Sequence, residues 1–179
     1  MLQKPPTYNF AITRPHNLST CRLSRNTSIP SVMIDFTAMT LCDLISTKRT
    51  KCRSLPEFVY FVQKVTHNAN INVRTLLVAL IYLKRAKSNL PKRAVGSDDT
   101  NHRMFLASLL IASKFLQDTA WTADALTNRR IYEICSGLFS LEEVNQFERG
   151  FLKLIQYECW VDDEALNRFV ELHRSDLSL

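Results

Sequence analysis

From Leu55 onward, apolar residues recur at intervals of three and four positions, which is the spacing of an α-helix. The first such segment has one apolar face, made of Phe58, Phe61, Val62 and Val65. It opens at 54–57 with a Ser cap, a Pro in the first turn and an acid near the positive helix end, and it ends in polar residues at 67–70. Alternating apolar runs bounded by hairpin turn residues are missing after Leu55, so this region is predicted to be helical without strands.

Two longer segments are apolar on nearly every side. The first spans 72–89, contains the apolar run 76–83 and is stopped by Pro91. The second spans 101 to about 117 and contains the run 104–112. A helix that is apolar all round is buried in a protein core, so these two segments predict a central helix pair.

Three amphipathic helices complete the pattern. One lies between 123 and 136, the next opens at Ser140 with a capping box to Glu143, and the last begins at 162–164 with three acids. Amphipathic helices wrapped around two buried ones form an all-α domain, which is the fold class that we expect.

The N-terminal third differs in charge and composition. Residues 1–55 contain eight basic and two acidic side chains, whereas 56–179 contain fifteen of each, so the net charge of +6 belongs to the N-terminal part. We expect 1–54 to be a basic, largely disordered arm with a possible short helix at 33–45. The arm either serves nuclear import, phosphorylation or nucleic-acid contact, or is a solvated tail without a fixed role. The rest of the chain divides into the helical region 55–160 and a C-terminal amphipathic helix at 161–179.

The composition is that of a folded protein, with 46% hydrophobic and 22% charged residues. Neither a signal peptide nor an apolar run long enough to span a membrane is visible, so we expect a soluble intracellular chain. Five cysteines without close pairs predict reduced thiols in a reducing compartment.

Candidate chemistry is sparse. Three glycines in 179 residues leave no phosphate-binding loop, and the four histidines have no ligand-like spacing to other side chains. The acids at 162–164 are best explained as helix-end charges. We therefore expect no cofactor, no metal and no catalysis by this chain.

Two charged residues lie within apolar helices. Lys114 ends the run 109–113, and Glu148 lies on or beside the apolar stripe of its helix. Because isolated buried ions are costly, such residues are either paired or placed at a partner surface. They predict a polar contact point in an apolar docking face, or alternatively an internal salt bridge without an outside role.

The segments around these two residues resemble the cyclin box. The string 110–115 (Leu-Ile-Ala-Ser-Lys-Phe), followed by a capped helix with 147–149 (Phe-Glu-Arg) and 151–152, is similar to that family. The segments 55–59, 75–85 and 138–145 resemble more closely the fungal Pho/Pcl-type cyclins. The resemblance covers roughly residues 55–171.

This resemblance implies a five-helix cyclin core, with extra helices at the termini, that binds and activates a Pho-type cyclin-dependent kinase as a heterodimer. The kinase-binding residues that it implies are Lys114, Glu148, Phe115, Leu152 and Tyr157. Lys114 and Glu148 would reach backbone groups near the regulatory helix of the kinase, which controls the active-site Lys–Glu ion pair. The chain would then favour the active kinase arrangement and help to direct the kinase to its substrates, while phosphorylation of Ser and Thr belongs to the kinase. The resemblance also implies a role in cell-cycle or phosphate signalling, in the nucleus and the cytoplasm.

The sequence departs from other cyclins in two respects. About 20 residues follow Tyr157, so we expect a single helical repeat, as in the Pho/Pcl type, where many cyclins have two. The Met-Arg-Ala-Ile-Leu docking string of cell-cycle cyclins is absent from the first helix, so substrates are expected to use another surface.

Two other functions fit the same helical pattern. Cyclin-fold transcription factors or adaptors bind DNA and promoter proteins, and the pI near 9.2 suits nucleic acid. However, residues 56–179 have no net charge, and a DNA-binding core carries its own basic surface, so nucleic acid is not the expected partner. A membrane is not expected either, because no apolar run is long enough to span one. The remaining alternative is a scaffold that binds the kinase without activating it.

Overall fold

The computed structural model describes residues 28–47, 55–120 and 126–177. Eight α-helices lie in these ranges: α1 (Ser31–Cys42), α2 (Leu55–Asn68), α3 (Val73–Asn89), α4 (Thr100–Ala120), α5 (Asn128–Cys135), α6 (Leu141–Leu154), α7 (Asp163–Leu172) and α8 (Arg174–Leu177). Two strands of two residues each, β1 (Ser46–Thr47) and β2 (Val95–Gly96), pair in parallel. The predicted all-α fold is confirmed.

Helices α3 and α4 form the centre of the core, as their apolar sequences predict. Every residue from 75 to 83 in α3 and from 105 to 112 in α4 is buried. These helices pack on each other, α6 covers α4, and α5 lies against α6. Because these two helices are buried on nearly all sides, they contribute a large part of the apolar area removed from water.

Side-chain caps fix where four helices begin. The capping oxygens belong to Asn72, Thr127, Ser140 and Asp162, each of which accepts a hydrogen bond from a backbone N–H in the first turn of its helix. At α6 the capping box is complete, because the backbone N–H of Ser140 also donates to Glu143. Ser54, the predicted cap of α2, lies outside the described residues.

The capping box predicts a pH-dependent stability. The pKa of Glu143 lies below its ordinary value of 4.5, chiefly because its carboxylate accepts the backbone N–H of Ser140 at 2.8 Å. This stabilisation is complete above the ordinary pKa and is lost as the pH falls through the lowered one. Urea titrations between about pH 6 and about pH 3 should therefore show the stability difference between wild type and Glu143→Gln shrinking, since glutamine caps without titrating. A difference that is constant with pH would contradict this.

Helix α1 is part of the core. Its buried residues include Met33, Ala38 and Leu41, and it packs on α2, α4 and α8. The sequence predicts a helix at 33–45 in the arm, whereas the structure has it at Ser31–Cys42, beginning directly after Pro30. Residues 1–27 and 48–54 of the predicted arm lie outside the described residues.

The C-terminal region is two helices instead of one continuous helix. The chain leaves helical geometry at His173, between α7 and α8. The His173 ring lies 5.2 Å from that of Phe36 on α1 and 4.7 Å from that of Phe169 on α7. This break lets the short α8 return to α1 and bury Leu177.

Among the described residues after Leu55, the strand β2 departs from the predicted helical chain without strands, and its partner β1 precedes Leu55. Backbone groups of Ser46 and Val95 meet across the fold, and two residues are too few to form a recognisable strand pattern. Gly96 is required there, because a Cβ atom would lie 2.7 Å from the side chain of Thr100.

Two cysteines in the described region, Cys135 and Cys159, are consistent with packing roles, whereas Cys42 is exposed. Cys135 and Cys159 are free thiols, and burial raises the pKa of Cys135 to about 11. Burial also raises the pKa of Cys159, so neither forms a reactive thiolate readily. Cys21 and Cys52 lie outside the described residues.

In the part of the chain that the structure describes, none of the helices combines the length and apolar character needed to cross a membrane.

Candidate partner-binding surface

The packing of α6 on α4 brings Lys114 and Glu148 together. The Lys114 Nζ atom lies 2.5 Å from Glu148 Oε1. The lysine side chain is 39% exposed and the glutamate side chain 17%, so the pair lies at the surface with the carboxylate largely covered. The predicted pairing is therefore present in the structure, and the ion pair is compatible with both of its predicted roles.

A third residue, Asn128, completes this cluster. Its Oδ1 accepts a hydrogen bond from Lys114 Nζ at 2.8 Å, and its Nδ2 donates to Glu148 Oε2 and to Asn145 Oδ1, each at 2.8 Å. Sequence reasoning missed Asn128, because an asparagine directly after a Thr cap is an ordinary feature of a helix start. We call Lys114, Glu148 and Asn128 the polar triad.

Two of the predicted apolar residues lie beside the polar triad. Phe115 follows Lys114 on α4, and Leu152 is one helical turn beyond Glu148 on α6. Both are partly buried and pack against the core, with part of each side chain left at the surface. The polar triad is thus bordered by apolar surface on both helices that carry its charges.

Tyr157 and Trp160 extend this surface beyond the end of α6. Tyr157 is 63% exposed and Trp160 is 69% exposed. The Trp160 ring meets the Phe115 ring edge-on, with 6.0 Å between centroids. Sequence reasoning selected Tyr157 and missed Trp160, although a tryptophan just after the apolar stripe of an amphipathic helix was a usable signal.

Helix α3 holds the segment that carries these aromatic residues. The Tyr82 hydroxyl donates to the carbonyl of Cys159 at 2.6 Å, and Asn89 donates to that of Leu154 at 2.9 Å. Arg85 donates to two more carbonyls, those of Glu158 at 2.6 Å and Trp160 at 2.9 Å. Burial raises the pKa of Tyr82, so the hydroxyl remains a donor. Positions 82, 85 and 89 share one face of α3, which acts as a clamp on the chain after α6.

The turn between α6 and this segment uses left-handed backbone at two residues that are not glycine. Gln156 has φ 55° and Tyr157 has φ 59°. The Tyr157 N–H donates to the Leu152 carbonyl at 2.8 Å, which satisfies one of the last carbonyls of the helix.

A glycine at this turn should stabilise the protein. A left-handed backbone conformation costs a residue with a Cβ atom roughly 1–2 kcal/mol, and glycine avoids this cost. Part of the gain is lost because glycine has more conformational freedom in the unfolded chain. Gln156→Gly should therefore raise the free energy of unfolding by about 1 kcal/mol, measured by urea titration. Gln63→Gly, at an exposed position inside α2, is the matched control and should lower it by about 1 kcal/mol. Equal losses at both positions would contradict the expectation.

Sequence comparisons relate the chain to known proteins. The family described as "Cyclin, N-terminal domain" matches residues 35–159. PHO85 cyclin-1 of Saccharomyces cerevisiae is 35% identical over 112 residues, which cover 63% of this chain and 38% of that protein. PHO85 cyclin-9 of the same yeast is 30% identical over 132 residues, covering 70% of this chain and 41% of the relative.

A third relative gives the same result. PHO85 cyclin-2 of Saccharomyces cerevisiae is 26% identical over 144 residues, covering 78% of this chain and 45% of the relative. The matched region thus spans less than half the length of each of these three relatives. No solved structure matches the chain significantly.

Proposed function

Because the chain belongs to the cyclin family, we propose that it is a regulatory subunit that binds and activates a cyclin-dependent Ser/Thr kinase of the Pho type. The names of the three yeast relatives support this choice of kinase. The observation that carries the proposal is the Lys114–Glu148 ion pair at a surface bordered by apolar side chains. Phosphoryl transfer is the reaction of the partner kinase. We place the complex in the nucleus and the cytoplasm.

The polar triad suits a surface that becomes buried on binding. Burying one unpaired charge costs several kcal/mol, whereas Lys114 and Glu148 enter an interface already paired. Any further hydrogen bond from the ammonium to the kinase is charge-assisted and therefore strong. The polar triad would thus fix the orientation of the complex, while the apolar border supplies the area removed from water.

Activation then follows from differential affinity. A kinase exchanges between arrangements in which its regulatory helix is docked or displaced, and the docked form completes the active-site Lys–Glu ion pair. A chain that binds the docked form better shifts the population toward it. Lys114, Glu148, Phe115, Leu152 and Tyr157 are the residues that we assign to this contact.

The structure supports Trp160 as a further contact residue. Exposed tryptophan and tyrosine are the residue types that most often dominate binding energy at protein interfaces. The α3 clamp holds the backbone carbonyl of Trp160, so the side chain is presented with little backbone freedom left to lose on binding.

The test of the proposed function is co-purification followed by an activity measurement. The full chain is mixed with a Pho-type kinase, and the complex is isolated and assayed on a Ser-Pro peptide beside the kinase alone. We expect a one-to-one complex and a large rise in turnover. A complex without a rise in turnover would identify a scaffold, and no complex with any cyclin-dependent kinase would overturn the proposal.

Trp160 provides a direct optical test of the contact. In a Trp121→Phe background, Trp160 is the remaining tryptophan, and its emission should shift to shorter wavelength when the kinase covers it. Trp160→Ala should weaken affinity about tenfold, equivalent to about 1.4 kcal/mol. Tyr60→Ala, which removes a 67% exposed aromatic side chain from α2, is the matched control and should retain affinity. An unchanged emission spectrum in the complex would place Trp160 outside the interface.

A further inference from the structure

The amide of Asn128 is oriented by three polar side chains around it. Its oxygen receives the Lys114 ammonium, and its two N–H groups point to Glu148 and Asn145. An amide turned over would set its N–H groups against the ammonium and its oxygen against the carboxylate, so the observed orientation is the one that the surrounding charges allow.

Within this arrangement, both carboxylate oxygens of Glu148 have partners in the chain, whereas one of the three donors of Lys114 is not directed at the polar triad. Each carboxylate oxygen of Glu148 has a partner within the chain, Oε1 with Lys114 and Oε2 with Asn128. The Lys114 ammonium has three donors, of which two are directed at Glu148 and Asn128. Lys114 is also the more exposed member, at 39% against 17%.

Three helices hold the amide in place. Asn128 is the first residue of α5, which is capped by Thr127, and the adjacent Leu126 N–H donates to Ser113 Oγ on α4 at 2.9 Å. Asn145 on α6 lies one turn before Glu148 and accepts the second amide proton. The start of α5 is thus fastened to α4 beside Lys114 and to α6 beside Glu148.

We propose that Asn128 is a positioning residue that locks the Lys114–Glu148 pair, so that Lys114 contacts an oxygen acceptor of the partner, a carbonyl or carboxylate, while Glu148 holds the lysine. This inference rests on the proposed function, because it assigns roles within the same surface. A lysine side chain without such a lock samples many rotamers, and ordering it on binding reduces affinity.

Affinity for the kinase measures this role. Asn128→Ala removes the lock, and Asn128→Asp keeps the oxygen that Lys114 uses but sets a carboxylate oxygen against Glu148. We expect each to weaken binding of the full chain about tenfold. Asn72→Ala, which removes the cap of α3 and no contact of the polar triad, is the matched control and should lower the unfolding temperature without changing affinity.

A double-mutant cycle separates positioning from general destabilisation. Because Asn128 acts through Lys114, Asn128→Ala should have no further effect on affinity in a Lys114→Ala background. An Asn128→Ala variant that binds like wild type, or that loses the same factor in both backgrounds, would overturn the positioning role.

A measurement on the chain alone keeps the two proposals distinct. In wild type the Lys114 Nζ protons should give a slowly exchanging NMR signal, and this signal should disappear in Asn128→Ala. An unchanged signal in that variant would overturn the positioning role even where the kinase binds. A wild-type chain that shows the expected signal but binds no kinase would instead overturn the proposed function.

Discussion

Replacing Lys114 with alanine should weaken kinase binding by about 100-fold or more, because it leaves the Glu148 carboxylate covered and without its counter-charge at the interface. Truncating one member of a buried charge pair at an interface costs roughly 2–5 kcal/mol, and 2.7 kcal/mol corresponds to about 100-fold in affinity. Glu148→Ala should have a similar effect through the unpaired ammonium. Activation of the kinase should fall in parallel, since it follows from binding.

The control variant for this prediction is Lys87→Ala, which removes one positive charge from the exposed end of α3. This variant should bind and activate the kinase like wild type. That result would show that the loss of affinity in Lys114→Ala does not come from the change in net charge. Circular dichroism verifies that each variant is folded, and calorimetric titration gives the affinity. Folded Lys114→Ala and Glu148→Ala variants with wild-type affinity would reduce the pair to an internal salt bridge.

Phe105→Ala should remove a large part of the stability of the fold. Phe105 lies on α4 with no exposed surface, and its ring lies 6.0 Å from that of Phe61 on α2. Truncating a buried phenylalanine to alanine lowers the free energy of unfolding by about 3–5 kcal/mol, because the ring no longer contributes its transfer free energy and a cavity is left behind. Since domains of this kind are stable by about 5–15 kcal/mol, much of the protein would unfold at moderate temperature.

Urea titration of Phe105→Ala and the milder Phe105→Leu tests this prediction. Phe105→Leu should lower the free energy of unfolding by about 1 kcal/mol. This variant can be measured even if the alanine variant does not fold. Phe115→Ala, ten residues further along the same helix, removes a partly exposed ring and should lose less stability but more kinase affinity. A loss of less than about 1 kcal/mol in Phe105→Ala would show that the core rearranges to fill the site.

Much of this fold follows from local patterns. The buried pair α3 and α4 was predictable because both segments are apolar on all sides, and water excludes such helices from a surface. The capping box at Ser140 and Glu143 was predictable because both partners lie within one helical turn. The last helix was predicted less well. It was expected to be continuous over 161–179, whereas it breaks at His173, whose ring lies beside those of Phe36 and Phe169.

Some residues of the candidate surface could likewise be predicted from the sequence, and others could not. Lys114 and Glu148 were selected because a charge inside an apolar helix is conspicuous in a sequence, and the resemblance to the cyclin box supplied Phe115, Leu152 and Tyr157. Asn128 has no such signal, and the position of Trp160 just after an amphipathic helix does not show which groups hold it. The contacts that define them join residues far apart in the chain, Asn128 with Glu148 across 20 positions and Arg85 with Trp160 across 75.

By itself, the sequence determined which segments are helical, which two helices are buried and where several of them begin. These properties depend on periodicity and capping, which act within one or two turns. Only the tertiary structure decided that Asn128 joins Lys114 to Glu148, that α3 clamps the chain carrying Trp160, and that β1 pairs with β2. Those contacts arise when helices pack at particular angles and distances, and a hydrogen bond between distant residues requires positions that no local pattern encodes.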